Sequence, residues 1–266
     1  GGSIGRDERG EPTGILTETA IDLIYDAIPP ATMSDTMSYI KAASQDYLAA
    51  GITSVHDAGI EADGLAAYQA LHERGELPLR VYMMVREKLL DALIAAGMHT
   101  GFGDEWLRVG CLKLLQDGSM GARTAAMLQP YKDQADNYGI LWMEQAALDE
   151  LVDRAHAAGF QVAVHAIGDR AITSVLDAFE AALTRRPRRD HRHRIEHCEV
   201  AIDGLIDRIQ SLGVLPSVQP IFMAEFAVAY IGNLGGERAH RIYPFPEYLG
   251  RGMALAAGSD SPVSSF

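Results

Sequence analysis

Short apolar, β-branched runs alternate with helical patterns along most of the chain. An apolar face of Ile40, Ala43, Tyr47 and Leu48 predicts a helix over Ser34 to Ala50, with Ser34 as N-cap and Gly51 closing its end. The run Ile52 to His56 then predicts a strand, followed by a helix through Leu65 to Arg74. A strand at Leu79 to Val85 precedes a helix at Lys88 to Ala96, and a third strand covers Val109 to Leu115. After a long loop come a helix at Gln145 to Ala158, the strand Gln161 to His165 and a helix at Ala171 to Leu183. The strand Arg194 to His197, a helix at Leu205 to Leu212, and strands at Val214 to Val218 and Met253 to Ala257 complete the series.

This alternation predicts an α/β fold with a parallel sheet, and seven units in series fit a (β/α)8 TIM-type barrel lacking one strand. A doubly wound open sheet would call for a Gly-rich phosphate turn of the G-x-G-x-x-G type after an early strand, and the sequence has none. No repeat or linker divides the chain, so residues 1–266 read as one barrel domain.

Composition narrows the function classes. At 48% hydrophobic residues the chain can fill one large core, and a formal charge of −13 argues against nucleic acid as a partner. The single basic run, Arg185-Arg186-Pro187-Arg188-Arg189, reads as a solvated loop. No apolar stretch is long enough to span a bilayer, so no membrane partner is expected. Cys111 and Cys198 stand far apart in or beside apolar runs, which predicts reduced thiols and a cytoplasmic setting. Homo-oligomerisation stays open.

Chemistry gathers at the strand ends, where a barrel assembles its sites. Those ends read Val55-His56-Asp57, Lys113 to Ser119, Val164-His165-Ala166-Ile167-Gly168-Asp169, Ile195-Glu196-His197-Cys198, Ser217-Val218-Gln219-Pro220 and Gly258-Ser259-Asp260-Ser261-Pro262. A single strand-end histidine is ordinarily a hydrogen-bonded core residue, a strand lysine snorkels to solvent, and Asp among Gly and Ser makes a turn. Lys, His and His, then Asp on the final strand, all at one barrel face, are hard to explain by packing, because each costs several kcal/mol of desolvation unless partnered.

Lys113, His165, His197 and Asp260 resemble the metal-binding set of the amidohydrolase superfamily. The strings Lys113 to Thr124 (KLLQDGSMGART), His165 to Ala171 (HAIGDRA), Arg194 to Cys198 (RIEHC) and Gly258 to Val263 (GSDSPV) are similar to its amidohydrolase-3, or N-substituted formamide deformylase-like, branch. The opening Gly1 to Asp7 and Pro12-Thr13-Gly14 are similar to that branch too, so the resemblance covers essentially the whole chain.

The resemblance implies a metal-dependent hydrolase that cleaves an amide, N-formyl or related C–N bond in a small-molecule substrate. It implies one or two divalent ions, zinc first, with iron or manganese as alternatives, and a carbamate on Lys113 as a metal ligand. His165 and His197 would be imidazole ligands, and Asp260 both a metal contact and the group that accepts a proton from the attacking water. Asp117, Ser119 and Arg123 after the lysine strand, and Asp169 and Arg170 after His165, are weaker candidates for substrate contact. The connection holding Asn233, Arg238, Arg241 and Tyr243-Pro244-Phe245-Pro246 could wall the pocket or form an ordered surface loop.

One part of the family pattern is not found. A His-x-His pair is expected on the first strand, yet the only such pair is His191-Arg192-His193, which enters its strand from the wrong end. The chain therefore reads as a barrel without its first strand, with the C-terminal remainder also absent, a piece of a longer hydrolase. Two other classes compete. One is a catalytically inactive barrel acting as a binding or regulatory protein. The other is a metal-free lyase or isomerase, which would need a phosphate-binding glycine loop; Gly232, Gly235 and Gly236 come nearest.

Overall fold

The computed structural model describes residues 2–264. A small antiparallel hairpin opens it, β1 (Ser3–Arg6) against β2 (Pro12–Thr17). Its turn is held by Asp7, whose carboxylate accepts from the amides of Arg9 and Glu11 at 2.8 and 2.9 Å. The periodicity argument passed over this hairpin, since much of its side-chain surface stays exposed. A short helix, α1 (Asp22–Tyr25), follows.

The body is α2 (Met33–Ala49), β3 (Ser54–Ile60), α3 (Ala62–Glu73), β4 (Arg80–Arg86), α4 (Leu90–Ala95), β5 (Leu107–Leu115), α5 (Gln145–Ala157), β6 (Val162–Ala166), α6 (Asp169–Arg185), β7 (Arg194–His197), α7 (Asp203–Leu212) and β8 (Leu215–Val218). The predicted cap of α2 moves from Ser34 to Thr32. Thr32 Oγ1 accepts from Asp35 N at 3.2 Å while Asp35 Oδ2 accepts from Thr32 N at 2.9 Å, a reciprocal capping box. Between β8 and β9 (Ala256–Ala257) the chain folds into four short helices, α8 (Phe222–Glu225), α9 (Ala227–Leu234), α10 (Gly236–Ala239) and α11 (Phe245–Gly250). Gly232 lies inside α9, and Gly235 and Gly236 join α9 to α10, so these glycines do not form a phosphate loop after a strand.

Strands β3 to β9 pair in sequence order, every pair parallel, in a seven-stranded sheet. This is the (β/α) barrel arrangement, open between β3 and β9 among the described residues. Side chains alternate between two apolar environments. Val81, Met83, Val85, Leu112, Leu114, Val162, Val164 and Ile195 pack outward in the main core. Met84, Cys111 and Ala163 form a separate inward cluster with Tyr82 against it. Burial on both faces is why the strands read as near-continuous apolar runs rather than alternating ones.

Strand β3 runs four residues past the predicted end at His56. His56 is therefore an interior strand residue rather than a terminal one, stacked on Tyr82 with 4.5 Å between centroids. Its Nδ1 accepts from Arg194 Nη1 at 3.0 Å. Asp57 faces the other way and accepts from Tyr68 OH at 2.5 Å. With both polar groups partnered, the strand continues to a bulge at Gly59, whose φ of 93° suits glycine.

Candidate metal centre

Register places the interior polar residues of β5, β6 and β7 at neighbouring levels near the C-terminal end of the sheet. Lys113 pairs with Ala163, Leu115 with His165, and His165 with Glu196. Lys113 and His165 thus point inward one side-chain step apart, and His197 closes the next strand. The His165 and His197 rings meet edge to face, 4.5 Å between centroids and 70° between planes.

Each ring has one nitrogen engaged. His165 Nε2 lies 2.9 Å from the Gly118 carbonyl oxygen and must donate to it. Burial first, then the neighbouring His197 and Lys113, drives the His165 pKa well below 6.5, so its ring is neutral and Nδ1 keeps its lone pair. His197 Nδ1 lies 2.8 Å from Gln219 Oε1, and burial with Lys113 nearby lowers the His197 pKa to about 3. Among the described residues neither His165 Nδ1 nor His197 Nε2 has a hydrogen-bond partner.

Lys113 is only 6% exposed and, among the described residues, forms no hydrogen bond or ion pair. Burial lowers its pKa, opposed by the charges of Glu196, Cys111 and Asp260. A neutral amine is what that environment favours. Beneath it Arg194 Nε sits 2.5 Å from Glu196 Oε1, a buried pair on one face of β7. Asp260 follows β9 at the solvent-facing rim, in a left-handed conformation with φ of 58°. Partial desolvation raises its carboxyl pKa, and Lys113 pulls it down.

No three His, Cys, Asp or Glu side chains among the described residues converge as a metal-holding group. The donor set is instead two neutral imidazoles with free nitrogens beside an unpaired buried amine. These are nitrogen ligands that suit a divalent ion of the zinc type, and they fit one only with Lys113 in the set.

The weaker candidates divide. Asp117 is 2% exposed and works from behind the site. Its carboxylate accepts from the amides of Ala126, Ile167 and Gly168 at 2.9, 3.0 and 2.9 Å, and Oδ1 lies 3.4 Å from His165 Nε2. Burial raises its pKa to about 7 against the pull of those amides. A Cβ on Gly168 would come within 1.9 Å of Ala126 O, so the clamp needs glycine there. Asp169 holds the same loop through Leu128 N at 2.7 Å. Ser119, exposed, caps a turn by accepting from Ala122 N at 3.2 Å, and Arg123 Nε donates to Asn233 Oδ1 at 2.8 Å. Arg170 is exposed on the first turn of α6. Of these five side chains only Asp117 touches the set, at His165.

The connection from β8 to β9 does reach the site. Tyr243 OH lies 3.1 Å from Gln219 Oε1 and 3.3 Å from Glu199 Oε1, and Tyr230 OH lies 3.4 Å from the same Glu199 oxygen. Burial raises the Glu199 pKa to about 8. Glu199, 1% exposed, was passed over in the sequence, although a carboxylate inside the apolar run Cys198 to Ala201 is itself a signal.

The amidohydrolase family model matches residues 1–266. The chain belongs to this family. As a family member it is 31% identical over 99% of its length to YtcJ of Bacillus subtilis, which carries the name of an amidohydrolase, and covers 50% of that protein. It is 25% identical over its whole length to the N-substituted formamide deformylase of Arthrobacter pascens, covering 51% of it. The crystal structure of an uncharacterized metal-dependent hydrolase from Pyrococcus horikoshii superposes with a TM-score of 0.84 at 31% identity, over 98% of this chain and 53% of that one. The chain thus spans about half the length of the curated relatives it matches. Among the described residues no helix is long and apolar enough to cross a membrane.

Proposed function

We propose that the protein is a metal-dependent hydrolase cleaving an amide, N-formyl or related C–N bond in a small molecule. The observation that carries this reading is the pair of neutral imidazoles, His197 buried and His165 half-buried, each with one nitrogen tied back and the other free, beside the unpartnered Lys113. His165 through Nδ1, His197 through Nε2, Lys113 and Asp260 would hold a divalent ion, most suitably zinc. A bound ion of this type supplies Lewis acidity and acidifies a coordinated water.

The chain's own groups do the rest. Lys113, kept neutral by burial, can add carbon dioxide and lose a proton, giving a carbamate that offers oxygen in place of nitrogen. Asp260, at the rim, would take the proton of the attacking water and return it to the leaving nitrogen. Asp117 and Gly118 hold His165 in orientation from behind. Substrate would enter over the open rim, where Phe222, parallel to the His197 ring at 6.2 Å, offers an apolar wall.

A second reading is a catalytically inactive barrel that binds a small molecule or regulates a partner. It is favoured by the His-x-His of the chain lying at the far end of β7 with its ring nitrogens tied to other protein groups. Release of formate from N-alkylformamides, with zinc and bicarbonate supplied, separates the two. The hydrolase reading expects turnover that falls at least about 100-fold in Asp260→Asn. Zinc uptake with no turnover of any amide or formamide offered would favour the inactive barrel.

A further inference from the structure

We propose that Gln219 is a positioning residue that fixes His197 in its Nδ1–H tautomer and so aims the Nε2 lone pair at the cation. The proposal rests on the reading of His197 as a ligand, and it adds the device that makes His197 one.

Donor and acceptor accounting carries the argument. Gln219 sits just past β8, 4% exposed, so its amide has no water to rescue a wrong orientation. Its Nε2 is 3.4 Å from Ser217 O, which can only accept. Turning the amide over would set Oε1 against that carbonyl and leave both oxygens without a proton between them. Oε1 therefore faces the other way, 3.1 Å from Tyr243 OH and 2.8 Å from His197 Nδ1. An amide oxygen cannot donate, so His197 Nδ1 carries the hydrogen. In a neutral ring Nε2 then has none. The choice between the two neutral forms of the ring is imposed by this contact.

The brace is itself braced. Tyr243 is 3% exposed, donates its backbone N–H to Glu199 O at 2.8 Å, and stacks on Phe245 at 5.3 Å between centroids. Its φ of 48° and the φ of 71° at His197 are left-handed conformations that side chains other than glycine seldom adopt. Both backbones are held there by the surrounding fold, which brings His197 and Tyr243 onto one oxygen of Gln219. The β8–β9 connection thus contributes to the ligand field through Gln219 without presenting a ligand of its own.

The test reads the tautomer directly. Long-range 1H–15N spectra of the metal-free protein, with His197 assigned from its loss in His197→Gln, should show hydrogen on Nδ1 and a bare Nε2. Gln219→Leu should move His197 toward the Nε2–H form, leave the His165 pattern unchanged, and weaken zinc binding about 10- to 100-fold. Gln219→Glu, which keeps an acceptor at the same place, should restore Nδ1–H. Tyr243→Phe should keep the tautomer and cost about fivefold in zinc affinity. A wild-type His197 protonated on Nε2, or one still protonated on Nδ1 in Gln219→Leu, overturns the proposal. If the spectra behave as expected but the wild-type chain binds no zinc, the brace stands and the metal reading falls.

Discussion

Two groups of buried histidines sit at opposite ends of the same strands, and they differ in what their nitrogens do. At the N-terminal end His156, His191 and His193 leave nothing free. His156 Nε2 donates to Arg186 O at 2.7 Å and its Nδ1 meets His193 Nε2 at 2.9 Å. His193 Nδ1 accepts from Val162 N at 3.0 Å. His191 Nε2 donates to Leu212 O and its Nδ1 accepts from His193 N, both at 2.9 Å. One neutral tautomer per ring satisfies every contact. At the C-terminal end His197 is buried and His165 half-buried, both equally neutral, yet each keeps a nitrogen unspent. Burial and a lowered pKa are common to both groups. The unspent nitrogen separates a ligand from a strut, because a ring whose two nitrogens are both tied to protein has no lone pair left for a cation.

The contrast breaks most visibly in stability. His193→Ala leaves Val162 N–H and His156 Nδ1 unpartnered around a new cavity. It should cost about 3–5 kcal/mol in denaturant unfolding while leaving zinc bound per folded chain unchanged. His165→Ala loses one hydrogen bond to a loop carbonyl and should cost about 1 kcal/mol of metal-free stability. Equal losses from both variants would erase the distinction.

Acid offers the next largest effect. Burial lowers the pKa of His156 and His191, and that of His193 well below 6.5, with Arg188 adding to the depression and Asp153 and Asp190 opposing it. Their stabilising contribution is complete above the unfolded value near 6.5 and is lost as the pH falls, since the unfolded state takes up the protons first. Between pH 7 and pH 5 His193 alone should account for about 2 kcal/mol, read as the part of the acid loss that disappears in His193→Gln.

Glu199 sharpens the comparison with the sign reversed. Its folded-state pKa of about 8 lies above the unfolded carboxyl value, so it costs stability once the unfolded state ionises, increasingly from about pH 4.5 to 8. Glu199→Gln should therefore stabilise more at pH 8 than at pH 5, read as a larger upward shift of the denaturant midpoint at the higher pH.

Much of this was legible in the sequence because barrel strands are buried on both faces and punctuated by glycine. The seven strands and their order follow from that pattern, as do Lys113, His165, His197 and Asp260 as a set at one end. His191-Arg192-His193 was readable as a decoy, since it enters β7 from its N-terminal side. What escaped depends on side-chain direction and long-range contact. Asp57 looked like a strand-end group, but the pleat turns it toward Tyr68. Asp117 looked like a substrate contact, but three backbone amides claim its carboxylate. Gln219 stood in a candidate strand end and Tyr243 in a candidate pocket wall, but that both meet at His197 depends on the fold. Left-handed φ at Arg123, His197, Cys198, Tyr243 and Asp260 has no residue-type signature either.

The most direct test is zinc stoichiometry by elemental analysis on the purified chain supplied with zinc and bicarbonate, beside Lys113→Ala, His165→Ala, His197→Ala and His191→Ala. Zinc should be retained by the wild-type chain and by His191→Ala, and lost from the other three. Zinc that is absent from the folded wild-type chain, or that survives in Lys113→Ala and His165→Ala, would contradict the account.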